Sequence, residues 1–139
     1  MIKIILILTL FVISLSANIG LVKTLTGTVN IKRIDKIIPL NIGTSINEGD
    51  IILTENNSSI GIVFVDGSRL ALGSKSHIRI EKYLFNPKED KYKFDLNMTK
   101  GTAQFESGEF GKKAPESVEF KVPEGIIGIR GTKFYVEIK

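Results

Sequence analysis

Apolar and polar residues alternate with a period of two along this chain, and glycine interrupts the pattern at short intervals. No other feature constrains the fold as strongly. Tyr92, Phe94, Leu96 and Met98 alternate with Lys93, Asp95 and Asn97. Val118, Phe120 and Val122 alternate with Glu119 and Lys121, and Phe134, Val136 and Ile138 with Tyr135 and Glu137. Val29 and Ile31, and Ile78 and Ile80, repeat the pattern on a smaller scale. Successive side chains of a strand point to opposite faces, so each segment buries one face and wets the other. No segment competes with the period of an amphipathic helix, and no helix is expected after residue 17.

Turn residues separate these segments. Gly27, Gly43, Gly49-Asp50, Asp66-Gly67, Gly73, Gly101, Gly108, Gly111, Gly125, Gly128 and Gly131 punctuate the chain. Ile60 to Val65 is apolar apart from Gly61, which predicts a strand buried on both faces. It ends at Asp66-Gly67, a two-residue hairpin signal, expected to pair Phe64-Val65 with Ser68-Arg69. The predicted fold class is all-β: a single domain of short antiparallel strands, of sandwich or β-roll type. Residues 86–91 and 107–117 read as exposed loops.

The first 17 residues, MIKIILILTLFVISLSA, stand apart. One early lysine, a short apolar run and small residues at its end have the form of a cleaved signal peptide, with the cut beside Ala17. The run is short for a bilayer span, which needs about 20 residues, and no later run is long enough. The expected organisation is a signal peptide over 1–17 and one β domain over 18–139, periplasmic or secreted, with no transmembrane segment after cleavage. The chain has 139 residues, enough for one core of ordinary size.

Several function classes find no support. There are no cysteines, which excludes disulfides, thiolate metal sites and a cysteine nucleophile. The net charge of +4 comes from scattered lysines and arginines, with no run longer than two, so no nucleic-acid partner is expected. His77 is the only histidine; on a strand opposite Ile78 and Ile80 it reads as solvent-facing. One histidine cannot build a typical zinc site, and no serine sits in a nucleophile motif. Gly125 to Gly131, GIIGIRG, lacks the spacing and the strand-to-helix context of a phosphate loop. The chain is therefore expected to be non-catalytic, with no cofactor and no metal.

Three segments in register carry a family resemblance. The first is Gly49-Asp50 followed by Ile51-Ile52-Leu53-Thr54. The second is Asp66-Gly67-Ser68 within Ile62 to Leu72. The third is Val122-Pro123-Glu124-Gly125-Ile126-Ile127-Gly128-Ile129-Arg130-Gly131-Thr132-Lys133-Phe134. Together they resemble FecR-type domains, over about Gly43 to Val136. The resemblance implies a β-rich periplasmic or extracellular domain. In the best-known members such a domain receives a signal at an outer-membrane transporter and passes it across the inner membrane to a sigma factor. Those members carry a cytoplasmic segment and a membrane helix before the domain. Here a signal peptide is expected instead, so direct sigma-factor contact is not expected.

Within the motif, Gly128 and Gly131 are expected to relieve backbone crowding at a bend. Arg130 is expected to form a structural ion pair with Asp66 or Asp50, with Thr132 and Phe134 in supporting roles. The segment SGEFGKKAPES, with Gly108, Phe110, Lys112 and Lys113, is the candidate docking loop. Its deletion over 108–114 is expected to leave folding intact. The functional expectation is an exported binding or sensory module acting on an envelope protein or a cell-surface polymer. The alternative is a structural or self-associating envelope protein.

Overall fold

A computed structural model describes residues 18–129 and 133–139. The fold is all-β and antiparallel in character: one sheet curled into a half-barrel. Its strands are β1 (Asn18–Thr26), β2 (Val29–Arg33), β3 (Lys36–Pro39), β4 (Ser45–Asn47), β5 (Ile51–Thr54), β6 (Ser59–Phe64), β7 (Arg69–Leu72), β8 (His77–Asn86), β9 (Lys91–Glu106), β10 (Val118–Val122), β11 (Gly125–Gly128) and β12 (Lys133–Ile138). The spatial order is β3-β2-β5-β8-β9-β7-β6-β1-β4, with β10 and β12 also on β9 and β11 on β10. All pairings are antiparallel except that of β10 with β9.

Two strands exceed the short lengths expected: β8 has 10 residues and β9 has 16. The first part of β9 lies between β8 and β10, the last part between β7 and β12. The strand turns at Gly101, whose φ is +96° and whose missing Cβ leaves space for Ser76. Ser76 Oγ accepts from Thr102 N–H at 3.0 Å and lies 2.9 Å from the Gly73 carbonyl; Thr54 Oγ1 donates to that carbonyl at 2.6 Å. Buried hydroxyls thus take up backbone groups that the ladder releases at the corner.

Most of the alternating residues fall as the pattern predicts, but Asp95, expected on the wet face, is buried at 5% exposure where β9 lies between β8 and β10. Phe94, Leu96, Met98, Val118, Phe120, Ile78 and Ile80 are buried, and His77 is exposed. Val136 is buried, with Phe134 and Ile138 packed against the core. The Asn86–Lys91 loop is the tip of the β8–β9 hairpin, with a short 3-10 turn at Pro87–Glu89.

Two details of the β6–β7 hairpin differ from the sequence reading. Arg69 pairs with Val63, one residue earlier than expected, and Phe64 N–H donates to the Ser68 carbonyl at 2.8 Å. The loop is therefore Val65-Asp66-Gly67, and only Gly67 has positive φ (+88°). That is the three-residue, bulge-type connection. This register puts Ile60, Ile62 and Phe64 on the buried face, opposite Leu70 and Leu72. The strand is not buried on both faces: Val63 is half-buried and Val65 is 66% exposed, because no described residue covers the sheet there.

The helix-free expectation also fails at one place. Glu109–Lys113 forms a single helical turn, α1, followed by a 3-10 turn at Pro115–Ser117.

Candidate functional site

Asp66-Gly67-Ser68 forms a buried polar hub. The Asp66 side chain accepts from Tyr83 Oη at 2.7 Å, Ser68 Oγ at 2.6 Å, Ser68 N–H at 3.3 Å and Phe110 N–H at 3.2 Å. Its N–H donates to Tyr83 Oη at 3.1 Å, and its carbonyl accepts from Glu109 N–H at 2.9 Å. Gly108 N–H donates to Ser68 Oγ at 3.0 Å. A buried carboxylate is tolerated when hydrogen-bond donors surround it, and here the donors tie two chain segments together. Burial, reinforced by the Asp66 carboxylate, raises the Tyr83 hydroxyl pKa well above its ordinary value.

This hub corrects the reading of the 107–117 segment as an exposed loop, and removes Gly108 and Phe110 from the surface it could offer a partner. Phe110 is fully buried, with its ring against Tyr83, Phe85, Tyr92 and Phe94. Gly108 lies so close to the backbone of residues 66–68 that a Cβ would collide with it. Of the four candidate residues Gly108, Phe110, Lys112 and Lys113, only the two lysines face solvent as expected. The segment is a plug for the core: Phe110 breaks the polar run because it is the residue that enters.

Gly49-Asp50 forms a second structural clamp. Arg33 grips Asp50 with both oxygens engaged, Nε to Oδ1 at 2.9 Å and Nη2 to Oδ2 at 2.7 Å. Asn47 N–H also donates to Oδ2, at 2.8 Å. Arg33, on β2, was not singled out by the sequence; only its place next to a turn could have suggested it. Arg130, Gly131 and Thr132 lie outside the described residues, so the expected Arg130 pairing does too. Gly128 relieves no crowding among the described residues: a Cβ there would meet none of them within 4 Å. Phe134 packs its ring against Phe105 and Phe120.

An open trough lies on the solvent face of β1, β6, β7, β9 and β12, with a volume of about 490 Å³. Its floor is Gly61, Val63 and Ala71; Lys23, Thr24, Arg69, Gln104, Glu106 and Lys133 rise around it. The strand register lines these residues up in rows. Thr24, Gly61, Ala71, Gln104 and Tyr135 form one row, and Val63, Arg69, Glu106 and Lys133 the next. Among the described residues, the side chains of Lys23, Arg69, Gln104, Glu106 and Lys133 have no hydrogen-bond or ion-pair partner. The sequence reading missed this site because its residues are single polar positions on separate strands.

A family model described as FecR protein matches residues 50–139. The chain belongs to the FecR family. No curated protein and no solved structure matches it significantly. The family is envelope-associated and generally linked to signalling. In this FecR domain the motif residues Asp50, Asp66 and Ser68 are engaged in holding turns together. No described helix is long and apolar enough to cross a membrane.

Proposed function

We propose that this FecR domain is an exported, non-catalytic binding or sensory module of the bacterial envelope, recognising a protein or surface polymer through the solvent-face trough. The observation that carries the reading is the trough itself: long polar side chains without partners among the described residues, set around a floor of small residues. Residues so placed cost little stability and are free to contact a ligand. The leader-like residues 1–17 supply the route out of the cytoplasm. Crosslinking in living cells, followed by capture of the tagged chain and mass spectrometry, tests the proposal. Recovery of a specific envelope protein or polymer, lost when Ala71 is replaced by Trp, supports it. Recovery unchanged by that substitution overturns the assignment to the trough.

A second reading has its own observation. Ile34, Ile37 and Ile42 are 88%, 64% and 66% exposed at and beside the edge strand β3. An apolar sheet edge can pair with another copy. Concentration-dependent size in light scattering, abolished by Ile37→Lys, would favour self-association; a monomer at all concentrations would exclude it.

A further inference from the structure

We propose that the trough binds an acidic polysaccharide, a carboxylated sugar chain lying across strands β1 to β12; this rests on the binding reading above and names its ligand class. Three features select that chemistry. The first is charge: Lys23, Arg69 and Lys133 face the trough against one carboxylate, Glu106. Arg69 and Lys133 flank Glu106 in cross-strand register, so carboxylates spaced along a ligand meet fixed cations on either side of it. An arginine fork matches a carboxylate in two parallel hydrogen bonds.

The second feature is the floor. Gly61, Ala71 and Val63 offer a low apolar surface with no deep pocket for a protruding side chain. Thr24 Oγ1 leans over Gly61, in the space a Cβ would take. A sugar ring has a flat apolar face and a rim of hydroxyls, which suits such a floor edged by Thr24 and Gln104. Tyr135, 65% exposed, pairs with Gln104 in the same row but lines the neighbouring cavity beside Val122 and Pro123.

The third feature bears on the rival occupant, an acidic peptide. β6 is paired on both sides, with β1 and β7, and β7 lies between β6 and β9. The backbone of β6 and β7 under the trough is already hydrogen-bonded on both sides, so a peptide could not add as an extra strand on its floor, whereas the outer edge of β12 lacks a strand partner among the described residues. Recognition on the floor must run through side chains. Five strands at about 4.8 Å spacing span roughly 19 Å, room for a short run of sugar rings.

The test uses the full chain as purified from expressing cells, with polygalacturonate as probe, and neutral dextran and polyglutamate as controls, in titration calorimetry at low salt. The expected result is binding of polygalacturonate alone. Arg69→Gln should weaken it about tenfold or more, the size of one lost charge-assisted contact, and Ala71→Trp should weaken it by filling the floor, each with an unchanged melting temperature. Both side chains are exposed, so the variants should fold; a third, Lys133→Gln, guards against misfolding of either. No binding of polygalacturonate overturns the proposal, as does equal binding of polyglutamate or indifference to all three substitutions. If cell crosslinking still captures an envelope protein through the trough, only the polysaccharide is rejected and the binding module stands.

Discussion

Replacing Phe110 by alanine distinguishes a core plug from a docking loop. The ring is fully buried and touches Tyr83, Phe85, Tyr92 and Phe94 at centroid distances of 5.3 to 6.0 Å. Burying a phenylalanine side chain stabilises by about 1.5–3 kcal/mol. The cavity left among rigid rings adds to the loss, for a total of about 3–5 kcal/mol. The backbone bonds of Glu109 and Phe110 to Asp66 would remain, so the turn should stay attached while the core loosens. With a urea slope of about 2 kcal/mol/M, the unfolding midpoint should fall by roughly 1.5–2.5 M. Circular dichroism during a urea titration reads it. Lys112→Ala and Lys113→Ala, on the exposed side of the same turn, should each stay within about 0.5 kcal/mol of the parent. A midpoint shift below about 0.5 M for Phe110→Ala would refute the plug and restore the segment as a free surface.

Arg33→Met should cost about 3 kcal/mol, because it strands Asp50, which is 1% exposed, without its cation; the double variant with Asp50→Asn should recover part of that loss in the same titration. Gly101→Ala should destabilise by about 2 kcal/mol or more through its positive φ and its collision with Ser76, whereas Gly128→Ala should leave the melting temperature nearly unchanged. The raised pKa of Tyr83 makes stability fall at alkaline pH. Above about pH 10 the unfolded chain releases the phenolic proton while the folded chain keeps it, so the unfolded state gains about 1.4 kcal/mol per pH unit from this group. Comparing urea midpoints at pH 9 and pH 11 should show a smaller drop in Tyr83→Phe than in the parent, and equal drops would refute the buried pair.

The strand pattern was legible from the residues alone. In Tyr92 to Met98 or Val118 to Val122, side-chain direction follows from backbone geometry and needs no partner. The motif segments were legible as turns for a similar reason: glycine at 49 and 67 marks local φ requirements. The docking loop misled because residues 107–117 are polar by count, and only tertiary packing shows Phe110 entering a ring cluster built from β6, β8 and β9. The hairpin register likewise depended on the core: Asp66 moved inside because Tyr83, 17 residues away, holds a donor there.

Local sequence therefore determined that this chain makes strands, where most of them turn, and which family it belongs to. Tertiary structure decided which carboxylates are spent on the fold, which loop is a plug, and that Lys23, Arg69, Gln104, Glu106 and Lys133 share one face. The physical reason is range. Side-chain alternation and turn preference act within a few residues, whereas strand order and register join positions more than a hundred residues apart, as between Lys23 and Lys133.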